Sequence, residues 1–315
     1  MTAPAHDSQG WPTEALREAL SPLLPGFTVQ VLPSIDSTNS ELMRRARAGQ
    51  CAPTLLVTEQ QTAGRGRMGR TWHSGPDSTA GEAAGKATAG AAVTGKAANA
   101  SAIDSLMLSL GLPLAPKDWS GLSLAVGVSV AESLQPMLPS GGQTARLRLK
   151  WPNDLWLDDA AGERKLGGIL VETASFVAPR GPSRPASPGA ADTAGTTRYV
   201  VIGIGINLLP RRAAGLSMPP GSLQELEPGV QAPAALLRIV PPLVTMLQSF
   251  EGYGFAPMQA RYAARDLLQG RAVTLSDGRS GTAYGVAEDG ALLVQTASGM
   301  QAITSADISV RPVCE

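Results

Sequence analysis

The densest concentration of ligand-binding chemistry in the chain is Gly64-Arg65-Gly66-Arg67-Met68-Gly69-Arg70, where three guanidinium groups alternate with three glycines ahead of Trp72. Glycines let backbone N–H groups approach a ligand closely, and arginine forks match carboxylate and phosphate oxygens, so the loop reads as an anion cradle. The lettering G-x-G-x-x-G also belongs to dinucleotide-binding turns, but those need a helix directly after them and an acidic residue about 20 positions on. An Ala/Gly-rich stretch follows here instead. Taken alone, the loop fits an RNA-contacting or solvated turn equally well. Lys150-Trp151-Pro152-Asn153-Asp154 adds a second cluster. There Asp154 can bind a metal or receive an amine proton and Asn153 can hold a phosphate or ribose oxygen, although Pro-Asn-Asp is also ordinary turn chemistry. Lys165-Leu166-Gly167-Gly168 and Gly203-Ile204-Gly205-Ile206-Asn207 each set glycines beside a polar group, leaving room for a ligand against a strand or merely for packing.

Several other signals carry no chemistry. Gly90 to Ala97 imitates a phosphate-binding loop, but Ala97 stands where a hydroxyl is needed and no apolar strand precedes it. Asn99-Ala100-Ser101 spells a glycosylation sequon in a chain whose start shows no secretory signal. His6 and His73 are the only histidines, and Cys51 and Cys314 the only cysteines, too few for a histidine metal site, a hydrolytic triad or a disulfide framework.

Elements must carry these clusters. A short helix is expected around Glu14 to Leu20. Thr38 and Glu41 have capping-box spacing and open a helix that Gly49 stops. Leu55 to Thr58, Ser105 to Leu110, Arg146 to Lys150 and Tyr199 to Leu208 read as strands, and Leu122 to Leu134 as a helix. Leu155-Trp156-Leu157 and Leu166 to Val171 flank a polar turn, Asp158 to Arg164, as a hairpin that ends in Lys165. Helices are expected over Ala232 to Phe250 and Pro257 to Leu268, and after Gly270 turn pairs about ten residues apart suggest a small antiparallel barrel. Strand hairpins and helices mix without regular βαβ alternation, which indicates an α+β class.

The 315 residues allow two domains. The division expected is an N-terminal segment 1–33, a catalytic unit 34–268 and a small all-β unit 269–315. Low-complexity insertions at 78–102 and 178–197 hold too little apolar side chain to repay ordering. Twenty-six basic and 26 acidic residues cancel, which removes a bulk pull toward nucleic acid or an anionic membrane. No apolar run reaches membrane-spanning length, and a cytoplasmic location is expected.

In their order and spacing, Ser37-Thr38-Asn39, Gln61, Gly64 to Arg70 with Trp72, Lys150 to Asp154, Lys165 to Glu172 and Gly203 to Asn207 resemble the motif set of biotin protein ligases. The resemblance runs from about Ser34 to the C-terminus outside the two insertions. It implies a mixed-sheet catalytic domain like class II aminoacyl-tRNA synthetases and lipoyl ligases, followed by a barrel like Src-homology-3 domains. It further implies that Mg-ATP and biotin form biotinyl-5′-AMP and that biotin passes to a lysine of a biotin carboxyl carrier protein. Ser37, Thr38, Asn39 and Gln61 would bind the biotin head group, with Arg65, Gly66, Arg67 and Lys165 around its carboxylate. Arg67, Arg70, Trp72, Asn153, Asp154, Lys165 and Asn207 would serve the nucleotide, and catalysis would rest on Arg67, Lys165 and Asp154 without a direct metal ligand. Only about 33 residues precede the first motif, so a monofunctional enzyme without operator binding is expected; a homodimer stays open. The long insertion interrupts the family's usual sequence after Trp72. Lipoate–protein ligase, a non-catalytic biotin sensor and a nucleic-acid-binding module are the alternatives.

Overall fold

The computed structural model describes residues 10–72, 103–137, 146–175, 197–211, 218–304 and 310–312. Both expected insertions, apart from Thr197, lie outside the described residues, as do His73, Cys314, the loop-like segment Gly90 to Ala97 and the sequon.

In chain order the main body comprises α1 (Thr13–Leu20), β1 (Thr28–Ile35), α2 (Thr38–Arg47), β2 (Thr54–Gln61), β3 (Gly64–Arg65), β4 (Thr71–Trp72) and β5 (Ser105–Leu114). It continues with α3 (Leu122–Leu134), β6 (Leu147–Lys150), β7 (Asp154–Asp159), β8 (Gly162–Ser175), β9 (Arg198–Asn207), α4 (Leu223–Leu226), α5 (Ala232–Tyr253) and α6 (Gln259–Ala263). Strands β1-β2-β5-β9-β8-β7-β6 make one seven-stranded sheet in that order. β1 and β2 are parallel, joined over α2, and every other neighbour is antiparallel. β10 (Ala272–Leu275), β11 (Ser280–Val286), β12 (Leu292–Thr296), β13 (Gly299–Ile303) and β14 (Val310–Pro312) form a second, wholly antiparallel sheet. The α+β class holds.

Alternation along β9 separates the two faces of the main sheet. Val200, Ile202, Ile204 and Ile206 enter the large core under α1, α3 and α5, whereas Tyr199 and Val201 pack under Leu42, Met43 and Ala46 of α2. On the α2 face the next positions are Gly203 and Gly205, so the face that begins as a packed layer ends as open floor. The 22-residue α5 is long and apolar enough to cross a membrane by composition, yet Leu236, Ile239, Val240, Leu243 and Leu247 are fully buried in the core. Residues ahead of position 34 join the same core through Leu16, Leu20, Leu24 and Phe27.

Three local expectations are corrected. The cap of α2 is Ser37, whose hydroxyl accepts from Ser40 N, while Glu41 reaches Arg44 and Arg45 rather than closing a capping box. The β7–β8 turn is tighter than Asp158 to Arg164: Asp159 pairs with Gly162, its carboxylate accepts from Ala161 N and faces Arg146 and Arg164, and Lys165 lies within β8. The helix expected over Pro257 to Leu268 shrinks to a 3-10 turn, Ala256–Met258, and α6. Beyond it the chain turns extended alongside β6, with Leu149 N donating to Arg265 O at 2.8 Å and Leu267 N to Leu149 O at 2.9 Å. That splice anchors the strand leading into Trp151–Asp154.

Asp266 sits fully buried in the splice, one carboxylate oxygen accepting from Leu268 N and the other without a partner among the described residues. Burial raises its pKa from 3.8 to about 6. The folded state therefore binds this proton more tightly than the unfolded state, and the stability so gained is full below 3.8 and lost as pH rises through about 6. Two units correspond to about 3 kcal/mol at most. Asp266→Asn is expected to raise the melting temperature relative to wild type increasingly from about pH 4 to about pH 6 and by a nearly constant amount above that. A difference independent of pH in thermal melts would show that the carboxyl does not titrate there.

Candidate functional site

The open floor of the sheet becomes the base of a cleft. Met107, Gly205 and Gly168 stand in one cross-strand row and Ser109, Gly203 and Leu170 in the next. Both glycines of β9 are required by close neighbours: a Cβ on Gly203 would lie 2.1 Å from Asn39 Oδ1, and one on Gly205 would lie 2.7 Å from the Trp72 ring. The roof is the β3–β4 hairpin, in which Gly64 pairs with Trp72 and Arg65 with Thr71 around a 3-10 turn, Arg67–Gly69. A Cβ on Gly64 would come within 2.4 Å of Trp72 O, so this pairing needs glycine. Met68 takes a left-handed backbone conformation, φ 55°, at the exposed tip. Strain of this kind in a non-glycine residue is sparse in proteins and concentrates at functional loops.

A β-bulge aims the lysine. Asp154 pairs with Gly168 and Leu155 with Gly167, but Trp156 pairs with Lys165, leaving Leu166 as the extra residue. Leu166 turns into the core, and Lys165 and Gly168 both face the cleft, which strict alternation over three positions would forbid. Lys165 Nζ then donates to Asp154 Oδ1 at 2.7 Å. Asn153 is held by its Nδ2 on Ile169 O at 2.7 Å and offers Oδ1 to Arg67 Nη1 at 3.4 Å.

The inner end is a polar network rooted on the sheet. Thr38 N donates to Gln61 Oε1 at 2.9 Å, and Ser109 Oγ donates to Asn39 Oδ1 at 2.6 Å while lying 2.7 Å from Thr38 Oγ1. Asn39 Nδ2 donates to Glu172 Oε2 at 3.0 Å, and Glu172 Oε1 in turn accepts from Arg65 Nη2 at 3.0 Å. Ser37, Thr38, Asn39 and Ser109 are all buried, so their remaining lone pairs and protons are expensive to leave unmatched and favour a polar guest.

Twelve of the thirteen predicted site residues line this cleft: Ser37, Thr38, Asn39, Gln61, Arg65, Gly66, Arg67, Arg70, Trp72, Asn153, Asp154 and Lys165. Asn207 does not. It is buried, and its Nδ2 donates to Gly221 O at 3.0 Å and Lys165 O at 3.3 Å. The side-chain amide bonded to two carbonyls clamps the segment Pro219–Gly221 against β8 and fixes the backbone at Lys165, so Asn207, expected on the nucleotide side, stands behind Lys165 and not in the cleft lining. Lys150, first residue of its motif, is also away from the cleft, with Nζ 4.6 Å from the centre of the Trp156 ring. Burial pulls its ammonium below the usual lysine range.

Sequence reasoning missed Ser109 and gave Glu172 no individual role. A lone serine inside the apolar run Leu106 to Leu110 was the available signal for the first. Among the described residues, Arg65, Arg67, Arg70 and Lys165 face the cleft against the single carboxylate of Asp154, and no group of three or more metal-ligating side chains occurs. Such an arrangement can stabilise negative oxygens: four cations line the cleft beside a polar network in which Glu172 pairs with Arg65.

Residues 31–80 match the model of the biotin/lipoate A/B protein ligase family, and residues 268–311 match that of the biotin protein ligase C terminal domain. The bifunctional ligase/repressor BirA of Escherichia coli is 31% identical over 295 residues, covering 91% of this chain and 75% of that protein. A biotin–(acetyl-CoA-carboxylase) ligase of Paracoccus denitrificans is 28% identical over 88% of this chain and 98% of its own length. In fold, the chain is similar to a biotin protein ligase from Aquifex aeolicus in complex with biotin and ATP, with a TM-score of 0.62 and 24% identity over 90% of this chain and 99% of that one.

Proposed function

The chain belongs to the biotin protein ligase family, and from that premise we propose that it activates biotin with Mg-ATP and transfers the biotinyl group to a lysine of a biotin carboxyl carrier protein of acetyl-CoA carboxylase or a related carboxylase. One observation carries the reading for this cleft: four cationic side chains surround a glycine-floored space that ends in the Ser37–Asn39, Gln61 and Ser109 network.

Biotin's ureido head is a neutral group with donors and acceptors, and the buried network offers both; its carboxylate then points outward to Arg65, Arg67 and Lys165. One carboxylate oxygen attacks the α-phosphorus of ATP. The bond from that phosphorus to the bridging oxygen breaks, and its electron pair leaves with pyrophosphate. Arg67 and Lys165 hold the oxygens on which charge develops, so no enzyme nucleophile is needed and positioning does most of the catalysis. In the second step the neutral amine of the acceptor lysine attacks the biotinyl carbonyl carbon, AMP leaves, and the amine loses a proton. We assign Asp154, whose Oδ1 lies 2.7 Å from Lys165 Nζ, to take it. Arg70 and Trp72 hold the hairpin over the nucleotide, and Asn207 acts through the Lys165 backbone.

We assign this chemistry to residues 34–268 and leave the accessory all-β unit to 269–315. Charge neutrality supports a protein acceptor over DNA or a membrane surface, and the free thiol of Cys51 supports a cytoplasmic location; a homodimer is compatible with both. The test is ATP-dependent transfer of labelled biotin to a purified carrier domain.

A further inference from the structure

Neither Glu172 nor Ser109 lines the cleft, yet both are bonded to residues that do. Asn39 joins them. Its Nδ2 donates to Glu172 Oε2 at 3.0 Å and to Leu170 O at 3.3 Å, and its Oδ1 accepts from Ser109 Oγ at 2.6 Å. The Glu172 carboxylate also accepts from Arg65 at both oxygens, at 3.3 Å from Nη1 to Oε2 and 3.0 Å from Nη2 to Oε1. One acidic side chain thus ties the floor of the pocket to its roof.

The direction of each hydrogen bond follows from what the groups can do. An ionised carboxylate and a backbone carbonyl only accept, so the Asn39 amide must turn its nitrogen to Glu172 and Leu170 and its oxygen to Ser109. A serine hydroxyl has a single proton. Ser109 gives it to Asn39 Oδ1 and must therefore accept, across 2.7 Å, the proton of Thr38 Oγ1. Gln61 Oε1 is the poorer partner for that hydroxyl, because it lies 3.3 Å away and already accepts from Thr38 N at 2.9 Å. Thr38 Oγ1 then keeps lone pairs and has no proton for a guest. Ser109 is 0% exposed and Thr38 and Asn39 are each 3% exposed, so solvent has little access to reverse the chain. Thr38 lines the cleft, and a guest there meets an acceptor.

We propose that Glu172 is a positioning residue that sets the hydrogen-bond polarity of the head-group pocket, so that the pocket selects an uncharged guest able to donate an N–H to Thr38 Oγ1. The inference rests on the ligase reading, in which that donor is a ureido N–H of biotin. The carboxylate suits the task because it accepts on two oxygens from three donors, Asn39 Nδ2 and both Arg65 Nη atoms. A glutamine amide at the same place has one acceptor oxygen and must turn its NH2 on either Asn39 or Arg65.

The test is calorimetric titration, without ATP, of biotin and its two cyclic-carbamate analogues, in each of which one ureido N–H is replaced by a ring oxygen. The wild-type protein is expected to prefer biotin over one of them by about a hundredfold or more, because ring-oxygen lone pairs would meet those of Thr38. Glu172→Gln and Ser109→Ala release the two ends of the chain, and each is expected to shrink that preference by about tenfold or more. Arg65→Gln leaves Asn39 bonded to the carboxylate and is expected to weaken biotin and the analogue alike, keeping the ratio. A general loosening of the fold, followed by thermal melts, would also lower the affinities together and leave the ratio, so the ratio separates polarity from structure. A wild-type ratio in Glu172→Gln or Ser109→Ala, equal compression in Arg65→Gln, or a wild-type protein that binds biotin and both analogues equally overturns the proposal. A wild-type protein that binds no biotin overturns the ligase reading with it, whereas tight biotin binding with an unchanged ratio overturns the polarity assignment alone.

Discussion

Lys165→Ala is expected to slow formation of biotinyl-5′-AMP by about 10²–10³-fold, the usual consequence of removing one preorganised donor from developing oxyanion charge. The fold should be nearly indifferent. Lys165 and Asp154 retain about 30% and 19% of their side-chain exposure, and a pair so open to solvent contributes little to stability. The loss should therefore appear in pre-steady-state release of pyrophosphate and not in a thermal melt. The bulge at Leu166 sharpens the expectation, because it spends a backbone irregularity to place this one ammonium on the cleft face. Lys165→Arg is not expected to restore the rate, since a planar fork cannot occupy the position of a compact ammonium 2.7 Å from Asp154. Pyrophosphate release near the wild-type rate in Lys165→Ala would remove the residue from the mechanism.

Gly203→Ala carries the second large effect, on binding. The added methyl would lie 2.1 Å from Asn39 Oδ1, and Asn39 has little freedom to withdraw. Its amide is fixed by Ser109, Glu172 and Leu170 O, at 2.6, 3.0 and 3.3 Å, and it sits in the first turn of α2. Relief requires breaking that network, and one lost buried hydrogen bond typically costs about 1–3 kcal/mol. Biotin affinity, measured by calorimetry, is expected to fall at least about tenfold. Gly252→Ala is the control: it lies in α5 with nothing within 4 Å of an added Cβ, and replacing a helical glycine there should be neutral or stabilise by about 0.5–1 kcal/mol. Wild-type biotin affinity in Gly203→Ala would mean that the polar network is not the head-group pocket.

Much of this was legible in the residues themselves, for a physical reason. Arginine-glycine loops, a lysine beside paired glycines and an asparagine ending a glycine-interrupted strand are poor packing choices, so they stand out against an apolar background. The alternation of β9 fixed which glycines share a face, and Leu122 to Leu134 declared a buried helix through its run of small and apolar residues. What local pattern could not convey was pairing between distant strands. The bulge that turns Lys165 inward exists only in the register of β7 on β8, and the extended run at Arg265 to Leu267 is decided by hydrogen bonds to Leu149. Asn207 shows the same limit. Its type and place suited a ligand, but the carbonyls of Lys165 and Gly221, distant in sequence, claimed its amide. Ser109 reads as a strand filler until β5 is paired with β9 and α2 is laid across them.

The most direct measurement incubates the purified protein with Mg-ATP, radiolabelled biotin and a biotin carboxyl carrier domain, resolves the mixture by denaturing electrophoresis, and runs labelled lipoate in parallel. Covalent label on the carrier's lysine that requires ATP, appears with biotin and is absent with lipoate is the expected result. Label from lipoate alone, or tight biotin binding without any ATP-dependent label, would contradict it, the first favouring a lipoate ligase and the second a biotin sensor.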